Sequence, residues 1–141
     1  MERVAGDPPS PWETEYGFSR AIVVDGQIHI GGTTAVGPLG AVVGESAYEQ
    51  MAECLRKVRH ELARLGAGPQ DIVAVRAYVT DISRHEDVGR AFADALRDVR
   101  PLFTMVEVSA LIDPRMCVEI EVTAVRRRPA AAVTPPGASR S

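Results

Sequence analysis

RPLFTMVEVSALIDPRMCVEIEV, residues 100–122, reads as two β-rich runs joined by a loop. In the second run Val118, Ile120 and Val122 alternate with Glu119 and Glu121, and Glu107 lies on the first. Side chains on a strand point to opposite faces at every step, so this run has one apolar face and one acidic face. The apolar face belongs in a core. The acidic face is open to two readings, a solvated surface or a carboxylate turned into a cleft, where it can position water or move a proton. Phe103 and Met105 share a face of the first run, and spacing leaves open whether they line the same cleft or fill the core.

Upstream of this pair, residues 71–80 (DIVAVRAYVT) form a strand pattern. Val73, Val75, Ala77 and Val79 share one face; Ile72, Ala74, Arg76 and Tyr78 share the other. Both faces are largely apolar, which predicts a central strand covered on each side. A helix follows, with Ser83 and Glu86 spaced as a capping box and Val88, Ala91, Phe92, Ala95 and Leu96 as its buried stripe. Pro101 breaks the chain before the next strand. An earlier helix starts at Ser46–Glu49, another capping-box spacing. Met51, Leu55, Val58, Leu62 and Leu65 recur at intervals of four, three, four and three, one stripe of a helix. Gly66 and Gly68 end it.

Nearer the N-terminus, SRAIVVDGQIHIGG carries Asp25-Gly26 between two β-rich runs. A two-residue hairpin turn needs positive φ at both central positions, which Asp-Gly supplies cheaply. Strands are expected at about 19–24 and 27–32, with a Gly-rich loop over 33–44. Gly31-Gly32 removes side chains where the backbone approaches something closely. Residues 1–15 read as an irregular arm holding Trp12, residues 16–126 as the folded domain, and residues 127–141 as a disordered low-complexity tail.

The order is β-β-α-β-α-β-β, an α+β fold: a mixed sheet with two helices on one face. Two helices leave the other face open, and an uncovered, fairly apolar sheet face usually meets another subunit. The chain has 141 residues, 45% apolar and 25% charged, with net charge −3. That balance suits one globular domain and argues against charge-driven nucleic-acid binding. Cys54 and Cys117 sit among apolar residues and read as reduced thiols of a cytoplasmic protein. No apolar run reaches the length of a membrane span. His29, His60 and His85 show no metal-ligand spacing, no Gly-rich phosphate loop occurs, and no cofactor or metal is expected.

Three stretches, YGFSRAIVVDGQIHIGGTTA, VRAYVTDI and RPLFTMVEVSALIDPRMCVEIEV, resemble the RidA/YjgF (endoribonuclease L-PSP-like) family over about residues 16–126. The resemblance implies a chorismate-mutase-like fold and a homotrimer whose sheets form a central barrel, with small-molecule clefts between subunits. Members like RidA hydrolyse reactive imines and enamines to keto acids and ammonia. An arginine grips the substrate carboxylate there, and a glutamate holds the attacking water.

By resemblance, the glutamate falls on Glu119, the strand-end glycine on Gly32 beside Gly31, and the aromatic on Phe18. The family's ARSTVEV is LFTMVEV here, so its arginine falls on Phe103 and its small or thiol residue on Met105. Phenylalanine cannot bind a carboxylate, and both replacements make the cleft more apolar. The chain resembles the arginine-lacking branch, whose members accompany catabolic or biosynthetic pathways. Arg20 is a candidate replacement cation, with Arg100 and Arg115 behind it. The expected function is hydrolytic deamination of a small, relatively apolar imine, enamine or related carbonyl compound, with Glu119 catalytic. The alternatives are a tautomerase- or cyclase-like step, a non-catalytic small-ligand binder, and RNA cleavage, against which the net charge speaks.

Overall fold

A computed structural model describes residues 1–127. The tail expected over 127–141 lies outside the described residues except for Arg127. The elements are β1 (Glu2–Val4), α1 (Pro11–Tyr16), β2 (Ala21–Val24), β3 (Gln27–Thr34), α2 (Ala47–Arg64), β4 (Ile72–Val79), α3 (His85–Leu96), β5 (Leu102–Glu107) and β6 (Val118–Val125). Short 3₁₀ turns precede β4 and α3. From β2 onward this is the order read from the sequence. The arm is the difference, since it is ordered rather than irregular. β1 pairs antiparallel with β2, and α1 is capped by a complete Ser10–Glu13 box. Ser10-Pro-Trp-Glu13 carries the capping-box spacing that starts this helix.

The six strands lie in the order β1-β2-β3-β6-β4-β5. β6 enters antiparallel between β3 and β4, and β5 closes the far edge parallel to β4. The last strand in sequence is therefore central. Asp25 and Gly26 turn the β2–β3 hairpin with φ of 50° and 78°, as their residue types require.

α2 and α3 cover one face. Met51, Cys54, Leu55, Val58 and Leu62 of α2 meet Val75, Ala77, Val79, Val118, Ile120 and Val122 of the sheet, all buried. Burying each of the larger of these side chains stabilises by roughly 1.5–3 kcal/mol. Ser46 Oγ accepts from the Glu49 amide at 3.1 Å, while the Glu49 carboxylate accepts from the Glu45 amide instead of closing the box.

Two local expectations are corrected. Asp81, not Ser83, caps the second helical segment; its carboxylate accepts from the Ser83 amide and hydroxyl at 3.0 and 2.6 Å. A register irregularity between Ile72 and Ala74 buries Ile72 and turns Val73 outward. Helices then cover the Val75–Val79 face of β4, while Arg76 and Tyr78 stand on the face that no helix covers.

Candidate functional site

The register lays out the open face row by row. Thr34, Glu119 and Tyr78 pair across β3, β6 and β4, and the next row joins Glu121 to Arg76. Tyr78 lies opposite Val106, and Arg76 opposite Thr104, on β5. Within this grid Glu121 is well partnered. The Tyr78 hydroxyl donates to it, and Arg76 Nε stands 3.9 Å from its carboxylate. Arg76 Nη2 also donates to Thr123 Oγ1 at 3.4 Å.

Glu119 differs. Among the described residues its carboxylate makes no hydrogen bond or ion pair; burial, then the like charge of Glu121, pushes its pKa up. The carboxylate lies on the Cα of Gly32, where an added Cβ would overlap Oε1 and stand 3.2 Å from Cδ. Glycine leaves room for the carboxylate in this conformation, by close approach rather than by backbone angle. The β3–β6 register shifts between Ile30 and Thr33, which brings Gly31 and Gly32 out of regular pairing beside Glu119. A half-buried carboxylate of raised pKa, unpartnered and lying against Gly32, suits proton transfer or holding a water.

The structure brings Glu119, Gly31 and Gly32 together. It does not bring Phe103 or Met105 to them within one chain. Phe103 pairs with Val75 and Met105 with Ala77, so both face the helices, on the side away from Glu119. Phe103 stacks on Phe92 of α3, ring centroids 4.0 Å apart and planes within 3°. Phe18 is 51% exposed beyond α1.

Arg20 lines the open face but is turned in part onto its own backbone. Its Nη1 donates to the Gly31 carbonyl at 3.0 Å. Burial pushes its pKa down, offset in part by Glu61 and Glu13. Arg115 is bound to Asp113 at 2.7 and 3.0 Å and holds that carboxyl down at about 2. Arg100 is exposed, just before β5.

Tyr78, Arg76 and Gln50 were missed. Arg76 and Tyr78 alternate in the β4 sequence, but their partnership with Glu121 depends on β6 lying next to β4, which no local pattern announces. Gln50 is buried; its amide donates to the Gly44 and Arg115 carbonyls and accepts from the Cys117 amide, which ties the β5–β6 loop to α2.

A shallow hollow of about 180 Å³ on the open face is lined by Ser19, Arg20, His29, Gly31, Arg76 and Glu121, among others. A larger one, about 240 Å³, lies between α2 and α3 and holds none of the candidate site residues. Among the described residues no cluster of His, Cys, Asp and Glu is arranged to hold a metal, and no helix is long and apolar enough to cross a membrane.

Residues 10–126 match the family described as Endoribonuclease L-PSP. A solved structure from Mycobacterium tuberculosis, Rv2704, described as a member of the YjgF/YER057c/UK114 family, is 37% identical. It superposes with a TM-score of 0.78 over 88% of this chain and 98% of that one. An uncharacterized protein of Streptomyces coelicolor is 33% identical over 119 residues, 83% of this chain and 87% of its own. A RutC family protein of Aquifex aeolicus is 29% identical over 110 residues, 77% of this chain and 88% of its own.

Proposed function

Because the chain belongs to the endoribonuclease L-PSP family, the YjgF/RidA group, with its chorismate-mutase-like α+β fold, we propose that it hydrolyses a small imine or enamine lacking a carboxylate. The observation that carries this reading is the unpartnered, half-buried carboxylate of Glu119 against Gly32. In the proposed reaction Glu119 holds the water. The water oxygen bonds to the imine carbon and a proton passes to nitrogen. The resulting carbinolamine then collapses to a carbonyl compound and ammonia or an amine. A carboxyl whose pKa is raised by burial is suited to take the proton from water and return it to the leaving nitrogen.

The substrate's lack of a carboxylate is argued from Phe103, which stands where the family's gripping arginine falls and whose ring is occupied by Phe92. The same reading takes the open sheet face to a ring of three copies. β5 is an edge strand, Leu102 and Val106 on its open face are 74% and 44% exposed, and Phe18 is exposed at the opposite end of the sheet. In such a ring Phe18, Leu102 and Val106 supply apolar walls across the subunit boundary, while Glu119, Gly31 and Gly32 supply the reacting side.

The test is release of ammonia from imines generated in situ, carrying apolar or carboxylate side groups, by the native protein, Glu119→Gln and Phe103→Arg. The reading expects turnover of apolar imines that Glu119→Gln abolishes. Turnover of carboxylate-bearing imines by the native protein would contradict the assigned substrate class. Binding without turnover would make the protein a ligand carrier.

A further inference from the structure

β2 pairs with β3 only as far as Ala21 opposite Ile30; the Gly31 amide still donates to the Arg20 carbonyl at 3.0 Å, and residues 32–34 of β3 have no β2 partner along that edge. Buried carbonyls left without donors are costly. Here side chains supply the donors. Arg20 Nη1 donates to the Gly31 carbonyl at 3.0 Å, and Thr33 Oγ1 donates to the same oxygen at 3.0 Å. From α2, Cys54 Sγ donates to the Thr33 carbonyl at 3.4 Å. Lys57 Nζ donates to the carbonyls of Thr34 at 2.8 Å and Val36 at 2.9 Å.

Lys57 is the single lysine of the chain, against fifteen arginines. An ammonium on a flexible stem can reach two converging carbonyls at once, whereas the planar guanidinium fork suits other geometries. Both cations are half-buried and partly desolvated, and each is held in place by the carbonyls it serves. They take no part in the reaction proposed for Glu119. What they share is one backbone segment, Gly31 to Val36, and Glu119 packs on that segment at Gly32.

We propose that Arg20 and Lys57, assisted by Cys54, are positioning residues that clamp the carbonyls of Gly31–Val36 and so hold Gly32 against the Glu119 carboxylate. The proposal rests on Glu119 being the working group of the site. It assigns the two cations to the shape of that site rather than to the grip on a ligand.

The groups around Glu119 are Glu121 on its own strand, Tyr78 on β4, and Cys54 on α2. Burial is the leading cause of the raised carboxyl, and neither Arg20 nor Lys57 contributes to it through space. That makes the carboxyl a reporter of position. The experiment is a ¹³C NMR titration of the glutamate side-chain carbons in the ligand-free full chain, with Glu119 assigned from Glu119→Gln. It compares Lys57→Met with Lys57→Arg, and Arg20→Met with Arg20→Lys. Leu62→Ala is the destabilised control that touches none of these carbonyls.

The clamp predicts that Glu119 titrates lower in both Met variants, as the loosened segment admits water. Arg20→Lys restores the native value, Lys57→Arg, whose fork does not suit the two carbonyls, stays with Lys57→Met, and Leu62→Ala leaves the value unchanged. No shift in the Met variants reduces the two cations to ordinary stabilising contacts and overturns the proposal. An upward shift means through-space charge and overturns it as well. Because the Met substitutions keep the apolar stems, a fold failure at one position leaves the other pair to decide. The titration needs no turnover, so a failed clamp and a failed reaction give separate results.

Discussion

Gly32 and Glu119 meet across two neighbouring strands with no space between them for a single methyl group. A Cβ at position 32 would overlap Glu119 Oε1 and stand 3.2 Å from Cδ. Gly32→Ala must therefore displace the carboxylate or shift the β3 backbone. Overpacking of this kind typically costs about 1–3 kcal/mol. The expected outcome is a lower melting temperature together with loss of ammonia release. Full activity in a stable Gly32→Ala protein would show that the packed position of Glu119 is irrelevant to function.

Glu119→Gln separates stability from activity. The folded-state pKa of Glu119 is raised, so the native state holds its proton more tightly than the unfolded chain. The stabilisation this gives is present below the unfolded carboxyl value and is lost as pH rises through the folded one. Once ionised, Glu119 is a desolvated, unpartnered charge that the amide is not. Glu119→Gln is expected to melt higher at pH 7, by on the order of a degree or two, with the gap closing toward pH 4. Thermal melts across pH 4–8 check this, and a lower melting temperature at pH 7 would mean that the carboxylate has a stabilising partner.

The Phe92–Phe103 stack joins α3 to the edge strand β5. A double-mutant cycle of Phe92→Leu and Phe103→Leu should give a coupling of about 0.5–1.5 kcal/mol, the usual value of an aromatic pair beyond its burial. Denaturant unfolding measures it. Strict additivity would mean that the rings contribute only as separate apolar surfaces, and that Phe103 is free to serve a ligand.

The thiols should label in order. Burial raises Cys54 to about 12, while Cys117 is half-buried and raised less far. Thiolate, not thiol, attacks disulfide reagents. At pH 8 an aromatic disulfide reagent should modify Cys117 slowly and Cys54 only on unfolding. Mass spectrometry of the digested product distinguishes the two, and fast native labelling of Cys54 would show that the α2–β3 contact opens readily.

Periodicity alone fixed much of this molecule. The stripe from Met51 to Leu65, the Asp25-Gly26 turn and the Val118–Val122 alternation each reflect a repeat set by backbone geometry, so sequence spacing reports them directly. The pairing of Glu119 with Glu121 on one face, and the need for a glycine near residue 32, were legible for the same reason. The arm was not, because three residues of strand and six of helix are too short for a repeat to emerge, and only the Ser10–Glu13 spacing marked them.

What lies beside what across strands was decided only by the tertiary structure. β6 inserts between β3 and β4, so the last strand in sequence supplies the partners of Tyr78, Arg76 and Gly32. The irregular register after Ile30 places Gly32 under Glu119, and the parallel register of β5 turns Phe103 toward Phe92. The short reach of β2 exposes the carbonyls that Arg20 and Lys57 then serve. The chain's local patterns specify which face each residue takes; lateral neighbours follow from strand order and register, which the burial of the whole sheet selects.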